Sequence, residues 1–292
     1  MNVPTSADVV VAGTGIVGCA TAYALAKRGL KVVLVDKGSV GAAVSGASLA
    51  CIGAHMVDIG ELPLLQAACD LWRGYPDELG RDIEYQRCGQ LRFIAREGDF
   101  VAARRWLDQE RAGHSLPIQP RKAQCLATMR LPPTIPCVVG ACEAGGGVEA
   151  GYTQIQQARS GQVLFNTVLG GGLRNAGALE LEPSIDQAFV RDSVRTLLWL
   201  FPDLEDVMLL RSWARYEAVT PDDRFLVGPV SGLEGFLMAA GDNGVGFTRA
   251  PLIAKALVEI IADGGSKLDI GCYDPERFTA LPEEAERIGN HG

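Results

Sequence analysis

Apolar positions along the chain fall into two periods. Val9-Val10-Val11-Ala12 is a short apolar run ending at glycine, the pattern of a buried strand in a parallel sheet. Ile16 to Arg28 has helical spacing, with small residues Gly18, Ala20, Ala22 and Ala24 on its faces and Gly29 as a stop. Lys31 to Val35 reads as a second buried strand, so these elements form one right-handed strand–helix–strand crossover. Further helices are expected over Leu62–Leu79 and Asp99–Ala112, with strand-like alternation over Gly89–Ala95 between them. Residues 116–151 read as loop, because Pro132-Pro133, Pro136 and Gly145-Gly146-Gly147 punctuate them. Strands are expected over Gly161–Leu169, Leu209–Ala218, Phe225–Gly228 and Phe236–Ala240, and helices over Ile185–Phe201 and Pro251–Ala262. Alternation of both element types without an internal repeat gives an α/β chain, α+β overall.

Composition narrows this only a little. The 292 residues, 48% hydrophobic and 21% charged, suit one large domain or two closely joined ones. A formal net charge of -8 gives nucleic acid no electrostatic footing. The N-terminus lacks a basic leader, and no apolar run approaches the roughly 20 residues of a membrane span. The expectation is a cytoplasmic protein without a transmembrane segment. The 8 cysteines include no C-x-x-C pair; they read as reduced thiols packed as small hydrophobes, and no residue set with zinc spacing suggests a metal.

The candidate chemistry begins at Gly13-Thr14-Gly15-Ile16-Val17-Gly18, between the first strand and the first helix. Gly13 permits a tight turn, Gly15 lets the backbone approach a pyrophosphate, and Gly18 allows close packing of helix on strand. The helix start offers unpaired N–H groups and the positive end of its dipole to phosphates. Asp36 ends the second strand, where a carboxylate accepts hydrogen bonds from a ribose hydroxyl. This is a dinucleotide fingerprint, and by itself it does not separate FAD from NAD.

Two further blocks do. After Asp36-Lys37 comes Gly41-Ala42-Ala43-Val44-Ser45-Gly46-Ala47-Ser48, and near the other end Thr220-Pro221-Asp222 precedes Gly241-Asp242-Asn243-Gly244-Val245-Gly246-Phe247-Thr248. Together these resemble the D-amino-acid oxidase-like flavoproteins, whose members include glycine oxidase, sarcosine oxidase and catalytic subunits of proline and opine dehydrogenases. The resemblance implies a Rossmann-like FAD-binding domain with an interleaved antiparallel-sheet substrate domain. The expected division is 1–80 with 229–292 for FAD and 81–228 for substrate. It assigns FAD contacts to Gly13, Gly15, Ile16, Val17, Gly18, Asp36, Lys37, Ser45, Ser48, Gly241, Gly244, Val245, Gly246, Phe247 and Thr248. The glycine turn near residue 244 would set helix-start N–H groups against negative charge developing on the flavin.

The resemblance further implies oxidation of a C–N bond in an amino acid, secondary amine or opine, by hydride transfer to flavin. Electrons would pass to oxygen or to an acceptor on a partner subunit. The chain departs from the family in two places. It passes from Gly147–Gly151 straight into Tyr152–Leu169 and against the family reads as shortened around 147–152, which would expose sheet edges and uncover the adenine end of FAD. It also carries Glu217 where relatives place a carboxylate-binding arginine, with Arg215 two residues earlier on the same strand face. Arg215, Glu217 and His55 are therefore the candidate catalytic residues, with Tyr152, Asn243 and Arg249 further substrate-side candidates. An impaired or non-catalytic flavoprotein subunit is the alternative. A lone NAD-binding Rossmann domain is disfavoured by the C-terminal block.

Overall fold

The computed structural model describes residues 6–53, 61–88, 90–93, 119–142, 152–168, 183–231 and 233–278. The chain opens with β1 (Val9–Ala12), α1 (Ile16–Lys27) and β2 (Val32–Val35), the strands pairing in parallel with Val9 opposite Val32. A short helix α2 (Val44–Ala47) and the long α3 (Leu62–Leu79) follow. Proline in its first turn and Gly80 in the left-handed conformation set the bounds of α3. The expected helix over Asp99–Ala112 lies outside the described residues.

One sheet dominates the middle of the chain. It is built from β3 (Gln90–Phe93), β4 (Gln119–Arg130), β5 (Val138–Cys142), β6 (Tyr152–Gln157), β7 (Gln162–Val168) and β8 (Leu209–Val219). Among the described residues its 6 strands run in the order β3-β5-β6-β7-β4-β8, antiparallel except for β3 with β5. Helix α4 (Gln187–Leu200) covers one face with Phe189 and Leu197, which pack with Leu126, Ile155, Val163 and Phe165. Leu126, Val163 and Phe165 are 0% exposed, and burying such side chains contributes roughly 1.5–3 kcal/mol each.

The presence of β4 and β5 corrects the reading of 116–151 as loop. Polar side chains hid β4, because buried partners satisfy them: Gln124 exchanges hydrogen bonds with Asp186, and the Thr128 hydroxyl accepts the Val163 N–H.

The second layer combines β1 and β2 with α1, α3 and the last helix, α5 (Gly246–Asp263). A separate antiparallel pair, β9 (Leu226–Pro229) with β10 (Leu237–Ala240), leads into α5. Helix α5 is buried on nearly every side and packs against both α1 and α3, as its mostly apolar sequence requires. It begins at Gly246 rather than at the expected Pro251, which lies inside it. A proline there deprives the carbonyl four residues earlier of its helical N–H. That carbonyl, of Phe247, accepts the Trp72 indole N–H at 2.9 Å instead, and the two rings stack with centroids 6.2 Å apart.

The first two strands are less covered than their sequence predicts. Val10 is 64% exposed and Val35 43%, although parallel strands are ordinarily buried on both faces. Among the described residues β1 and β2 form a sheet of 2 strands, and the helix packed on it is α1. No helix among the described residues is long and apolar enough to cross a membrane.

Candidate functional site

The glycine turn after β1 has the geometry its sequence calls for. Gly13 has a φ of 111° and donates its N–H to the Val35 carbonyl at 2.8 Å, tying the turn to the end of β2. A Cβ at Gly18 would run into the Gly13 carbonyl oxygen, so only glycine lets α1 lie this close to the turn. Gly15 is the N-cap of α1, and the Ile16 N–H donates to Ser45 Oγ at 2.9 Å. Ser45 thus joins the helix start to the segment that follows β2.

Asp36 sits exposed at the end of β2. One carboxylate oxygen, Oδ2, accepts both the N–H and the hydroxyl of Thr14 at 2.7 Å, and Oδ1 accepts the Gly38 N–H at 2.9 Å. These donors pull its pKa down to about 2, so it stays ionised over any ordinary pH range and fit to accept a ribose hydroxyl. Lys37 and Ser48 are exposed beside this path, and Ser48 Oγ accepts the Ala50 N–H.

The segment from Val44 to Gly53 connects the two ends of the chain. The Trp213 indole donates to the Ala47 carbonyl at 2.8 Å, and the Gln156 amide donates to the Leu49 carbonyl. Thr248, in the first turn of α5, donates its hydroxyl to the Cys51 carbonyl and accepts the Gly53 N–H, both at 3.3 Å. One loop therefore fixes the N-terminal fingerprint, β8 and the start of α5 relative to one another.

The turn before α5 closes the edge of β8. The Asn243 N–H donates to the Ala218 carbonyl at 2.9 Å, and Asp242 Oδ1 accepts the Ala218 N–H at 3.2 Å. Asn243 Oδ1 accepts the Thr220 N–H at 2.7 Å. Gly244 follows with a φ of 77° and is exposed. A Cβ on it would fall 2.7 Å from Glu217 Oε2, so both conformation and space require glycine. Val245 is the N-cap and Gly246 the first residue of α5. Phe247 is held by Trp72 and Thr248 by the loop, which leaves the exposed Gly244 end of the turn facing outward from the helix start.

Glu217 lies directly beneath this turn but does not pair with Arg215. Arg215 is exposed and its Nη1 donates to the neighbouring Ala214 carbonyl. Glu217 instead accepts a hydrogen bond from Arg121 Nε at 2.5 Å, across β4 and β8, where the two residues are register partners. Both side chains are 8% exposed. Arg121 Nη2 also donates to the Asn243 carbonyl at 3.4 Å. Arg121 lies in a stretch of sequence without period, and its place opposite Glu217 follows from strand register alone. Asp242 was likewise missed; burial, and then the Glu217 charge, push its carboxyl up to about 6.

Arg249 lies away from this cluster's open side. It pairs with Glu61 at the start of α3, both side chains 2% exposed, and stands over the Phe225 ring. Tyr152 belongs to β6, where the Asn166 amide donates to its hydroxyl at 3.4 Å. His55 lies outside the described residues. Cys19, Cys51, Cys69, Cys88, Cys125, Cys137 and Cys272 are outside any disulfide, and no group of potential metal ligands occurs among the described residues.

The arrangement suits a dinucleotide with a redox ring: a glycine turn opening a helix at Gly13–Gly18, an ionised Asp36, and a second helix start at Gly244–Gly246. The chain matches the family described as FAD dependent oxidoreductase (DAO) over residues 8–151 and 112–260. It is 26% identical over 176 residues to the hydrogen cyanide synthase subunit HcnC of Pseudomonas protegens, covering 60% of this chain. That match spans only 38% of the relative's own length. A shorter stretch of 63 residues is 40% identical to 4-methylaminobutanoate oxidase (formaldehyde-forming) of Paenarthrobacter nicotinovorans, 22% of this chain and 8% of that protein. In fold, the chain superposes on L-proline dehydrogenase from P. horikoshii with a TM-score of 0.79 at 20% identity, covering 95% of this chain and 99% of that one. Glycine oxidase from Geobacillus kaustophilus gives 0.76 at 16% identity, over 92% and 98%. By fingerprint, fold and family match alike, this chain belongs to the DAO family of FAD-dependent oxidoreductases.

Proposed function

We propose that the protein oxidises the C–N bond of a small amine or amino acid. The observation that carries this reading is the stitching of the Gly13–Gly18 helix start to the 44–53 loop, and of that loop to the start of α5, whose preceding turn lies over the buried pair Arg121 with Glu217. Residues 1–80 and 229–292 would hold the cofactor and 81–228 the substrate, with Glu217 and Arg121 at the boundary. FAD supplies the hydride acceptor for such chemistry. The chain's own residues supply the rest. The start of α1 holds the pyrophosphate, Asp36 accepts the ribose hydroxyl, and Ser45 fixes the loop against that helix start. The N–H groups of the Gly244–Gly246 turn and the α5 dipole favour negative charge on the ring. Glu217 and Arg121 provide the polar contacts for the substrate, and one of the relatives bears the name of an oxidase of a methylated amine.

The visible spectrum tests this directly. FAD-loaded protein is expected to show flavin bands that bleach anaerobically with at least one of a panel of amines and amino acids. A colourless protein that cannot be reconstituted with FAD would sink the proposal. A second reading, a flavoprotein subunit that binds or assembles without turnover, is favoured by the exposed apolar face of β1 and β2. Stoichiometric flavin that no substrate reduces would select it. Both readings leave room for a partner subunit that accepts electrons.

A further inference from the structure

Thr14 does more than fill a place in the glycine turn. It is 6% exposed, and both its N–H and its hydroxyl donate to Asp36 Oδ2 at 2.7 Å. Its carbonyl accepts the Gly41 N–H at 3.0 Å and the Cys19 thiol at 3.4 Å. These main-chain bonds do not depend on the side chain at position 14. The bond from Oγ1 does: it needs threonine or serine.

The effect of that bond falls on the carboxylate. Asp36 is exposed, and an exposed aspartate ordinarily turns among several rotamers. A carboxylate offers about four acceptor sites, roughly two on each oxygen. Thr14 fills both sites of Oδ2, whereas Oδ1 has one hydrogen bond from the described residues, the Gly38 N–H at 2.9 Å. The acidity of Asp36 follows the same ranking: the Thr14 N–H and hydroxyl lower its pKa most, the Gly38 N–H next and the Lys37 N–H least. Thr14 thus holds the side chain in one orientation and leaves the open acceptor site on Oδ1. A freely presented carboxylate could grip two neighbouring ribose hydroxyls, one on each oxygen. This one has room for one of them.

We propose that Thr14 is a positioning residue for the cofactor: its hydroxyl closes Asp36 Oδ2, so that Oδ1 accepts a single hydroxyl of the adenosine ribose. The inference concerns FAD, the cofactor of the family, and stands apart from the amine-oxidation reading. Thr14 acts through Asp36, and what it controls is the choice between the two ribose hydroxyls rather than turnover.

The test reads affinity in the full chain, stripped of flavin and titrated by flavin fluorescence. The ligands are FAD and two analogues in which 2′-deoxyadenosine or 3′-deoxyadenosine replaces adenosine. In the native chain one analogue is expected to bind about tenfold more weakly than FAD, and the other within about twofold of it. Thr14→Val keeps the shape and the main-chain bonds but loses the hydroxyl, so Oδ2 regains an acceptor site. The two analogues should then bind within about twofold of each other. Thr14→Ser should restore the tenfold difference, and Thr14→Ala, which also lacks the hydroxyl, serves if the valine variant fails its thermal melt. Equal losses for both analogues in the native chain, or no loss for either, overturn the proposal. So does a native chain that does not take up FAD. A tenfold difference that survives loss of the hydroxyl overturns it too, because Thr14 would then only shape the turn. Reduction of the flavin by amines plays no part in these readings, so failure of the oxidation proposal leaves them intact.

Discussion

Two buried arginine–glutamate pairs lie on either side of the Thr220–Arg224 turn, and they differ in what surrounds them. Arg249 and Glu61 are sealed at 2% side-chain exposure each, fixing the first turns of α5 to the start of α3. Tyr273, 0% exposed, adds its hydroxyl to the same interior. Arg121 and Glu217 are joined across adjacent strands at 8% each, directly under an exposed glycine. The chemistry of the pairs is the same, yet the second lies against an exposed glycine of a turn whereas the first is enclosed. A sealed pair has no access to a small molecule and serves to hold elements together; a pair at the mouth of a turn is available for exchange. Burial to within a few percent, rather than charge type, separates the two roles.

The largest expected effect breaks the sealed pair. Arg249→Met strands the Glu61 carboxylate in the interior and should cost about 3–5 kcal/mol in urea unfolding. Replacing both, as Arg249→Met with Glu61→Leu, should recover most of that loss, because neither charge is then unpaired. A double variant no more stable than the single one would show that the pair itself is not what holds α5 to α3. Next in size is Gly244→Ala. The φ of 77° and the 2.7 Å approach to Glu217 Oε2 predict a cost of roughly 1–3 kcal/mol. The same variant should weaken amine binding, measured by calorimetry, more than Arg249→Met does; equal losses would erase the distinction between the pairs.

The smallest effect is a pH dependence at the open pair. Asp242 binds its proton more tightly in the folded chain, its pKa rising from 3.8 to about 6. Its contribution to stability is therefore fully present below about 3.8 and is lost as pH rises through about 6. Asp242→Asn should flatten that slope in urea melts collected between these limits. An amine cation favours the ionised form, so its affinity should fall as pH drops through about 6. An unchanged slope in the variant would move the titration to another group.

How far the sequence alone reached follows from where the signals are local. The β1–α1–β2 unit was legible because its glycines and Asp36 lie within one short stretch and each has a separate physical requirement. Helix α3 was legible to its last residue, since a first-turn proline and left-handed Gly80 mark its ends. Strand β4 was not, because Arg121, Gln124 and Thr128 are buried polar residues whose partners, Glu217, Asp186 and Val163, are distant in sequence. The start of α5 was misplaced for a similar reason: Pro251 looks like a first-turn proline until Trp72 is seen to satisfy the Phe247 carbonyl. At the site, the cofactor motifs could be read, whereas the pairing of Glu217 with Arg121 instead of Arg215 depended on strand register.

The turn at Gly241–Gly244 has a consequence for solution behaviour. Among the described residues strand β8 is the last of its sheet, and a bare strand edge is a template on which other chains can add. Here the N–H and C=O of Ala218 and the N–H of Thr220 are already occupied by Asp242 and Asn243. The turn thus also guards this end of the strand against strand addition. Protein stripped of its cofactor, if the turn loosens, should cluster through this edge at high concentration, and light scattering that falls again on adding FAD would reveal it.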